Sequence, residues 1–280
     1  MLSKWTTGAQ RNTGRRASDG VKPVSVTPKK DGELEAAIAG DEIGLRYQPQ
    51  LDPMTGEVVG VEALARWSGE EDAGDLFRRA AVARLDERLS RQVAEKAIAR
   101  AALWSGQLAT VCLSINLLPA DLAHDDYPDW LLATLDRYGF APERLTVEIV
   151  ESDLLGDQGA AAARLERLRA TGIRVAIDDF GTGYASLAWL TGLPIDTLKI
   201  DRGLITDIVG RDRDRIVVRA LLRLAQDLEL KTVVEGVECS AQLALLADWG
   251  CDLYQGFLGS EPLTEDELHR FVRNANLAVA

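Results

Sequence analysis

From residue 61 to residue 256 the chain alternates short apolar runs, each ending in a carboxylate, an amide or a lysine, with longer stretches of helical periodicity. The runs are VGVEALAR with Glu62, LSINL with Asn116, LTVEIVE with Glu148 and Glu151, VAIDDFGTGY with Asp178 and Asp179, TLKID with Lys199, VVEGVE with Glu235 and CDLYQGF with Gln255. Short runs rich in Val, Ile and Leu are the pattern of strands buried on both faces of a parallel sheet. Eight strands are predicted near 43–52, 58–65, 111–116, 145–149, 173–178, 196–200, 231–235 and 252–256. Helical patterns fill 32–40, 73–106 with a break, 128–138, 159–171, 213–229, 240–249 and 264–274. This alternation predicts the α/β class and a (β/α)8 barrel of the TIM type. The first two strands are separated only by Pro53-Met54-Thr55-Gly56, a turn signal that makes them a hairpin, so one barrel strand runs antiparallel.

In such a barrel the C-terminal ends of the strands form one mouth, and polar residues there belong to catalysis rather than to stability. Glu62, Glu148, Asp178, Asp179 and Glu235 would crowd five acids onto that rim, with Lys199 as the one lysine among them. Like charges a few Å apart do not all stay ionised without compensation. Divalent cations supply it, because carboxylate, amide and water oxygens are the ligands that Mg²⁺ and Mn²⁺ favour. Adjacent Asp178 and Asp179 suit two ions, one carboxylate bridging and its neighbour holding the second. Sites of this kind serve phosphoryl-ester hydrolysis above all.

Five motifs then carry a resemblance. Glu62-Ala63-Leu64 followed by Arg66, Asp178-Asp179-Phe180-Gly181-Thr182-Gly183-Tyr184, Leu198-Lys199-Ile200-Asp201, Glu235-Gly236-Val237-Glu238 and Gln255-Gly256-Phe257 resemble, in order and spacing, the motifs of the EAL-domain cyclic-di-GMP phosphodiesterases. The match runs from about Glu33 to about Val272. The resemblance implies hydrolysis of cyclic-di-GMP to linear pGpG with two Mg²⁺ or Mn²⁺ ions, and a homodimer. It implies Glu62, Asn116, Glu148, Asp178 and Asp179 as metal ligands, Glu235 as general base or as a ligand through water, and Glu151 as the holder of the Gly181–Tyr184 loop. Lys199 would orient the attacking water or neutralise phosphate charge, and Gln48, Arg66 and Gln255 would meet substrate or its water. Read without the family, Asn116 also suits a cap for the turn after it. Glu151 equally suits a helix-start acid. The chain departs from the family in two places: the segment after Trp67 is compressed to Ser68–Phe77, and Ser260-Glu261-Pro262 puts an acid where Arg often precedes Pro.

At 280 residues and 46% hydrophobic the chain has material for one barrel and not two. The expected organisation is a basic, disordered leader over 1–32, the barrel over 33–274 and a tail over 275–280. Residues 1 to 30 hold seven basic residues against Asp19, a net of +6, which leaves −18 for the rest of a chain whose formal charge is −12. So acidic a body repels nucleic-acid polymers, and substrate phosphates need local cations. Cys112, Cys239 and Cys251 lie in apolar runs without C-x-x-C spacing, so each is expected as a core residue in a reducing compartment. Only His124 and His269 occur, both away from the motifs, which argues against an imidazole zinc site. No run is long enough to span a membrane and none reads as a secretory signal, so the expected location is the cytoplasm.

Two rival readings remain. One is a non-catalytic receptor for cyclic-di-GMP; the retained set of acids, Asn116 and Lys199 argues against it, and the shortening after Trp67 argues for it. The other is a barrel enzyme for a different phosphodiester, since no motif marks a guanine contact.

Overall fold

The computed structural model describes residues 30–67, 73–150, 158–181 and 187–277. Eight strands close into a barrel in chain order. β1 (Gly44–Leu51) and β2 (Val58–Arg66) form the predicted hairpin, with Gly44 opposite Arg66 and Gln48 opposite Glu62. Its turn is held by Asp52, whose carboxylate accepts from the amides of Met54 at 2.7 Å and Thr55 at 2.9 Å, and by Gly56 at a φ of 72°. From β2 onward each neighbour is parallel: β3 (Cys112–Asn116), β4 (Leu145–Val150), β5 (Arg174–Phe180), β6 (Thr197–Ile200), β7 (Lys231–Val234) and β8 (Leu253–Tyr254). β8 meets β1 antiparallel, Tyr254 against Leu51, so β1 is the reversed strand.

Around the barrel lie α1 (Gly32–Ala39), α2 (Ala73–Ala83), α3 (Asp86–Ala101), α4 (Pro119–Ala123), α5 (Tyr127–Tyr138) and α6 (Gln158–Arg169). They continue with α7 (Leu187–Gly192), α8 (Arg202–Ile205), α9 (Asp212–Asp227), α10 (Ser240–Asp248) and α11 (Glu265–Leu277). Short α4, α7 and α8 were not anticipated, because a helix of four to six residues shows no periodicity. α11 runs past the predicted end at 274 into the stretch expected as a tail. The leader is outside the described residues up to residue 29; within it, Asp31 accepts from Leu34 N at 3.1 Å and caps α1.

Strand alternation sorts the side chains. Val61, Ala63, Leu113, Ile115, Val147, Ile149, Val175, Ile177, Leu198 and Ile200 point outward and are buried beneath the helices in the main core. α3 answers with Leu89, Val93, Ala94, Ala97, Ile98 and Ala101 on one face. The residues in between, among them Glu62, Ser114, Thr146, Glu148, Asp178, Thr197 and Lys199, are buried and polar, and they face the barrel axis. Of the cysteines, Cys251 is buried and Cys112 half-buried, but Cys239 is exposed at the start of α10, against expectation: its apolar neighbours belong to a loop leaving β7, not to a strand. No helix among the described residues is long and apolar enough to cross a membrane.

Candidate active site

Lys199 is the centre of the mouth. Projecting from β6 and 1% exposed, its Nζ lies 2.6 Å from Glu148 Oε2, 2.9 Å from Glu235 Oε1, 3.0 Å from Asp178 Oδ1 and 3.3 Å from Glu62 Oε2. These partners come from β2, β4, β5 and the end of β7, so four strands must be in register for one ammonium to meet them. Burial works against its charge, yet Asp178, Glu148, Glu235 and Glu62 together hold its pKa well above the ordinary value. The lysine is charged and the acids around it are linked through it.

Gln255, just past β8, ties the ring further by donating from Nε2 to Glu62 Oε2 at 3.0 Å and Glu235 Oε1 at 2.9 Å. Behind it Gln50 donates to Gln255 Oε1 at 3.3 Å. Gln50 was missed in the sequence; its alternation with Gln48 along YQPQL was the available signal. Asn116 turns its amide to Glu62 Oε1 at 3.1 Å, and does not cap the turn that follows.

The acids do not share one protonation behaviour. Burial opposes ionisation of Glu62, but Lys199, Gln255 and Asn116 outweigh it and hold the carboxyl below the usual range. Glu148 is pushed well above that range, by burial first and then by the charges of Glu62 and Asp178 against the pull of Lys199. Burial, with Asp178 and Glu62 beside it, raises Glu235 to about 8. Asp179 is raised to about 6 by burial and by the charges of Asp178 and Asp201. Its backbone sits in the left-handed region at a φ of 55°, and its amide donates to Asp178 Oδ1 at 2.8 Å. Strained backbone of this kind clusters at functional sites.

Two oxygen triads result: Glu62, Glu148 and Asp178, and then Asp178, Asp179 and Glu235, each with ligand atoms within 4.8 Å of one another. Asp178 belongs to both. With all five carboxylates ionised against one ammonium, the site would carry four negative charges, the charge that two divalent cations balance, and the donors are the hard oxygens such ions take. The residues present therefore fit a pair of divalent cations.

The other expected site residues fall differently. Gln48 lies opposite Glu62 in the hairpin, but its Nε2 donates to the Ser260 carbonyl at 2.6 Å; with the Tyr47 to Leu263 backbone bridge it pins the segment after β8. This bond uses one N–H of the amide and leaves the second N–H and Oε1 for the expected contact with substrate or water. Arg66 ends β2 and donates to its own chain at the Ala65 carbonyl, 2.8 Å away; among the described residues no carboxylate pairs with it. Glu151 and the Thr182–Tyr184 part of the loop lie outside the described residues. Gly256, beside Gln255, has a φ of 150°, and a Cβ there would stand 2.3 Å from Val237 N, so only glycine lets β8 turn this tightly under the mouth.

Fold and site together define a (β/α)8 barrel with one reversed strand and an acidic, oxygen-donor mouth. The chain belongs to the EAL domain family, whose model matches residues 31–262. It is 35% identical over 241 residues to MucR of Pseudomonas aeruginosa, a bifunctional diguanylate cyclase/cyclic di-GMP phosphodiesterase, covering 84% of this chain and 35% of that protein. It is 37% identical over 251 residues to the cyclic di-GMP phosphodiesterase NbdA of the same organism, covering 86% of this chain and 31% of that one. The chain thus spans about a third of the length of these curated relatives. Among solved structures, the MucR phosphodiesterase in complex with c-di-GMP superposes with a TM-score of 0.79 at 35% identity, over 85% of this chain and 98% of that one. BlrP1 of Klebsiella pneumoniae, in a complex with manganese and cyclic di-GMP, gives 0.74 at 32% identity, over 80% of this chain and 57% of that one.

Proposed function

We propose that the protein is a cyclic-di-GMP phosphodiesterase that uses two Mg²⁺ or Mn²⁺ ions to hydrolyse the cyclic dinucleotide to linear pGpG. The observation that carries this reading is the sharing of Asp178 between two carboxylate triads at one barrel mouth. Family membership and the cyclic-di-GMP complexes of MucR and BlrP1 support the substrate.

In this reading Glu62, Asn116, Glu148 and Asp178 would hold one ion, and Asp178 and Asp179 would hold the other, with Glu235 beside it as general base. Bound there, the ions would neutralise phosphate oxygens and make a water molecule acidic enough to serve as nucleophile near neutral pH. The chain's own groups do the rest. Lys199 holds the carboxylates together around its ammonium and would orient the attacking water or offset phosphate charge. Gln255 fixes Glu62 and Glu235 relative to each other. Glu235 Oε1 is engaged by Lys199 and Gln255, which leaves Oε2 to take the proton of the attacking water; the positive charge of bound ions would hold the carboxyl ionised for that exchange. Arg66, without a carboxylate partner among the described residues, offers its fork to a phosphate. The homodimer implied by the family belongs to this reading, and sedimentation equilibrium tests it.

Purified protein with Mg²⁺ or Mn²⁺ is expected to convert cyclic-di-GMP to pGpG, read by chromatography beside cyclic-di-AMP as a control substrate. Glu62→Ala is expected to abolish turnover. Binding of cyclic-di-GMP without cleavage under either ion would overturn the enzyme reading in favour of a receptor.

A further inference from the structure

Asn116 stands at the start of a segment that packing holds on one side: Leu117 and Leu122 are buried in the main core, while Asn116 and Leu118 border a pocket. A cavity of about 190 Å³ lies between β2, β3, α2 and α3, and Ser90, Asn116 and Leu118 are part of its wall together with Ala63, Phe77 and Val93. Side chains that border a pocket have fewer contact partners on that side among the described residues. On the pocket side the run from Asn116 to Asp121 is therefore held by polar tethers. One is the amide of Leu117, which donates to the Glu148 carbonyl at 2.8 Å and fastens the run to β4. The other is the carboxylate of Asp121, whose Oδ2 accepts from Leu118 N at 3.1 Å and from Ser90 Oγ on α3 at 2.6 Å.

That carboxylate is costly where it is. Asp121 is 0% exposed and Ser90 2% exposed, and burial raises the Asp121 carboxyl to about 6 against the pull of Ser90, the Leu118 amide and Arg91. Asp121 Oδ1 and the hydroxyl of Tyr127, both buried, have no hydrogen-bond partner among the described residues. A well-packed apolar side chain would serve stability better at such a place. A buried acid kept with one oxygen unsatisfied points to a demand for position.

We infer that Asp121 is a positioning residue of the active site: by tying the loop behind Asn116 to α3 through Ser90, it sets the direction from which the Asn116 amide meets Glu62 and the first cation position. This rests on the two-ion reading above. Without the tether, the run from Asn116 can lean into the cavity, and the ligand set opens on the β3 side.

The test is Mn²⁺ binding by calorimetry on nucleotide-free protein, with turnover of cyclic-di-GMP measured alongside. Asp121→Ala is expected to weaken Mn²⁺ binding about tenfold, at the low end of what outer partners of metal ligands contribute, and to lower kcat more than it raises KM. Ser90→Ala is expected to show roughly a third of that effect, since Asp121 keeps the Leu118 amide. Asp121→Asn, which retains an oxygen for that amide, is expected to recover most of the binding. Leu222→Ala, a truncation in the core face of α9, serves as the control: it lowers Tm and leaves Mn²⁺ affinity at the wild-type value. Asp121→Ala that lowers Tm but binds Mn²⁺ and turns over like wild type overturns the inference alone. If Asp121→Ala does not fold, Ser90→Ala decides, and an unchanged Mn²⁺ affinity overturns the inference. Wild-type protein that neither binds Mn²⁺ nor hydrolyses cyclic-di-GMP overturns the functional reading, and this inference with it.

Discussion

Replacing Lys199 by methionine keeps the length and the apolar stem of the side chain but removes the one cation that four carboxylates share. The ammonium is 1% exposed and makes contacts of 2.6, 2.9, 3.0 and 3.3 Å, so none of its interactions is screened by solvent. Breaking a buried ion pair from one side costs about 3 to 5 kcal/mol, because the partner charge is left uncompensated. Here four partners are left, and they limit the cost by taking up protons, a course that Glu148 and Glu235 are already set toward by their raised pKa values. The expected loss in metal-free buffer is therefore about 3 to 5 kcal/mol rather than several times that, a fall in Tm on the order of 10 °C for a barrel of this size. Divalent cations restore the missing positive charge: Mn²⁺ at a hundred times its Kd returns about 2.7 kcal/mol. The assay is thermal and urea unfolding of Lys199→Met and wild type, each in EDTA and in Mn²⁺. The variant is expected to gain more from Mn²⁺ than wild type does, while its hydrolysis of cyclic-di-GMP falls at least a hundredfold. A variant as stable as wild type in EDTA, within about 1 kcal/mol, would refute the view that this ammonium holds the acids together.

Three further outcomes are expected. Asp121 has its carboxyl raised from 3.8 to about 6, so the folded state holds the proton more tightly than the unfolded chain; its contribution is present below pH 3.8 and is lost as pH rises to about 6. At about 1.4 kcal/mol per pH unit the difference is about 3 kcal/mol, and unfolding measured from pH 3.5 to 7 should show Asp121→Asn with that slope removed; parallel curves for the two proteins would contradict it. Gly256→Ala puts a Cβ 2.3 Å from Val237 N at a φ of 150°, and is expected to cost on the order of 1 to 3 kcal/mol in unfolding experiments and to displace Gln255; an unchanged Tm and kcat would contradict it. Ca²⁺ takes more ligands at longer distances than Mg²⁺, so it is expected to support binding of cyclic-di-GMP with little hydrolysis and to compete with Mg²⁺; equal turnover with Ca²⁺ alone would sink this.

What the sequence determined by itself was periodic or local. Strands from VGVEALAR to CDLYQGF were legible because each is a short run rich in Val, Ile and Leu that ends in a polar residue, and the reversal of β1 because Pro53 to Gly56 is too short for anything but a hairpin. The acids were legible because a carboxylate inside a buried run needs a partner, wherever that partner is. Partner identity is another matter. Lys199 and Glu62 are 137 residues apart, and Gln255 and Glu62 are 193 apart, so their contacts exist only once the barrel has closed and its register is set. The same closure turned Gln48 onto the Ser260 carbonyl, put Gln50 behind Gln255, left Cys239 exposed and buried Asp121 under α3. None of these leaves a mark on neighbouring residues, because a side chain's pKa and its hydrogen-bond partner depend on which distant strand or helix arrives beside it.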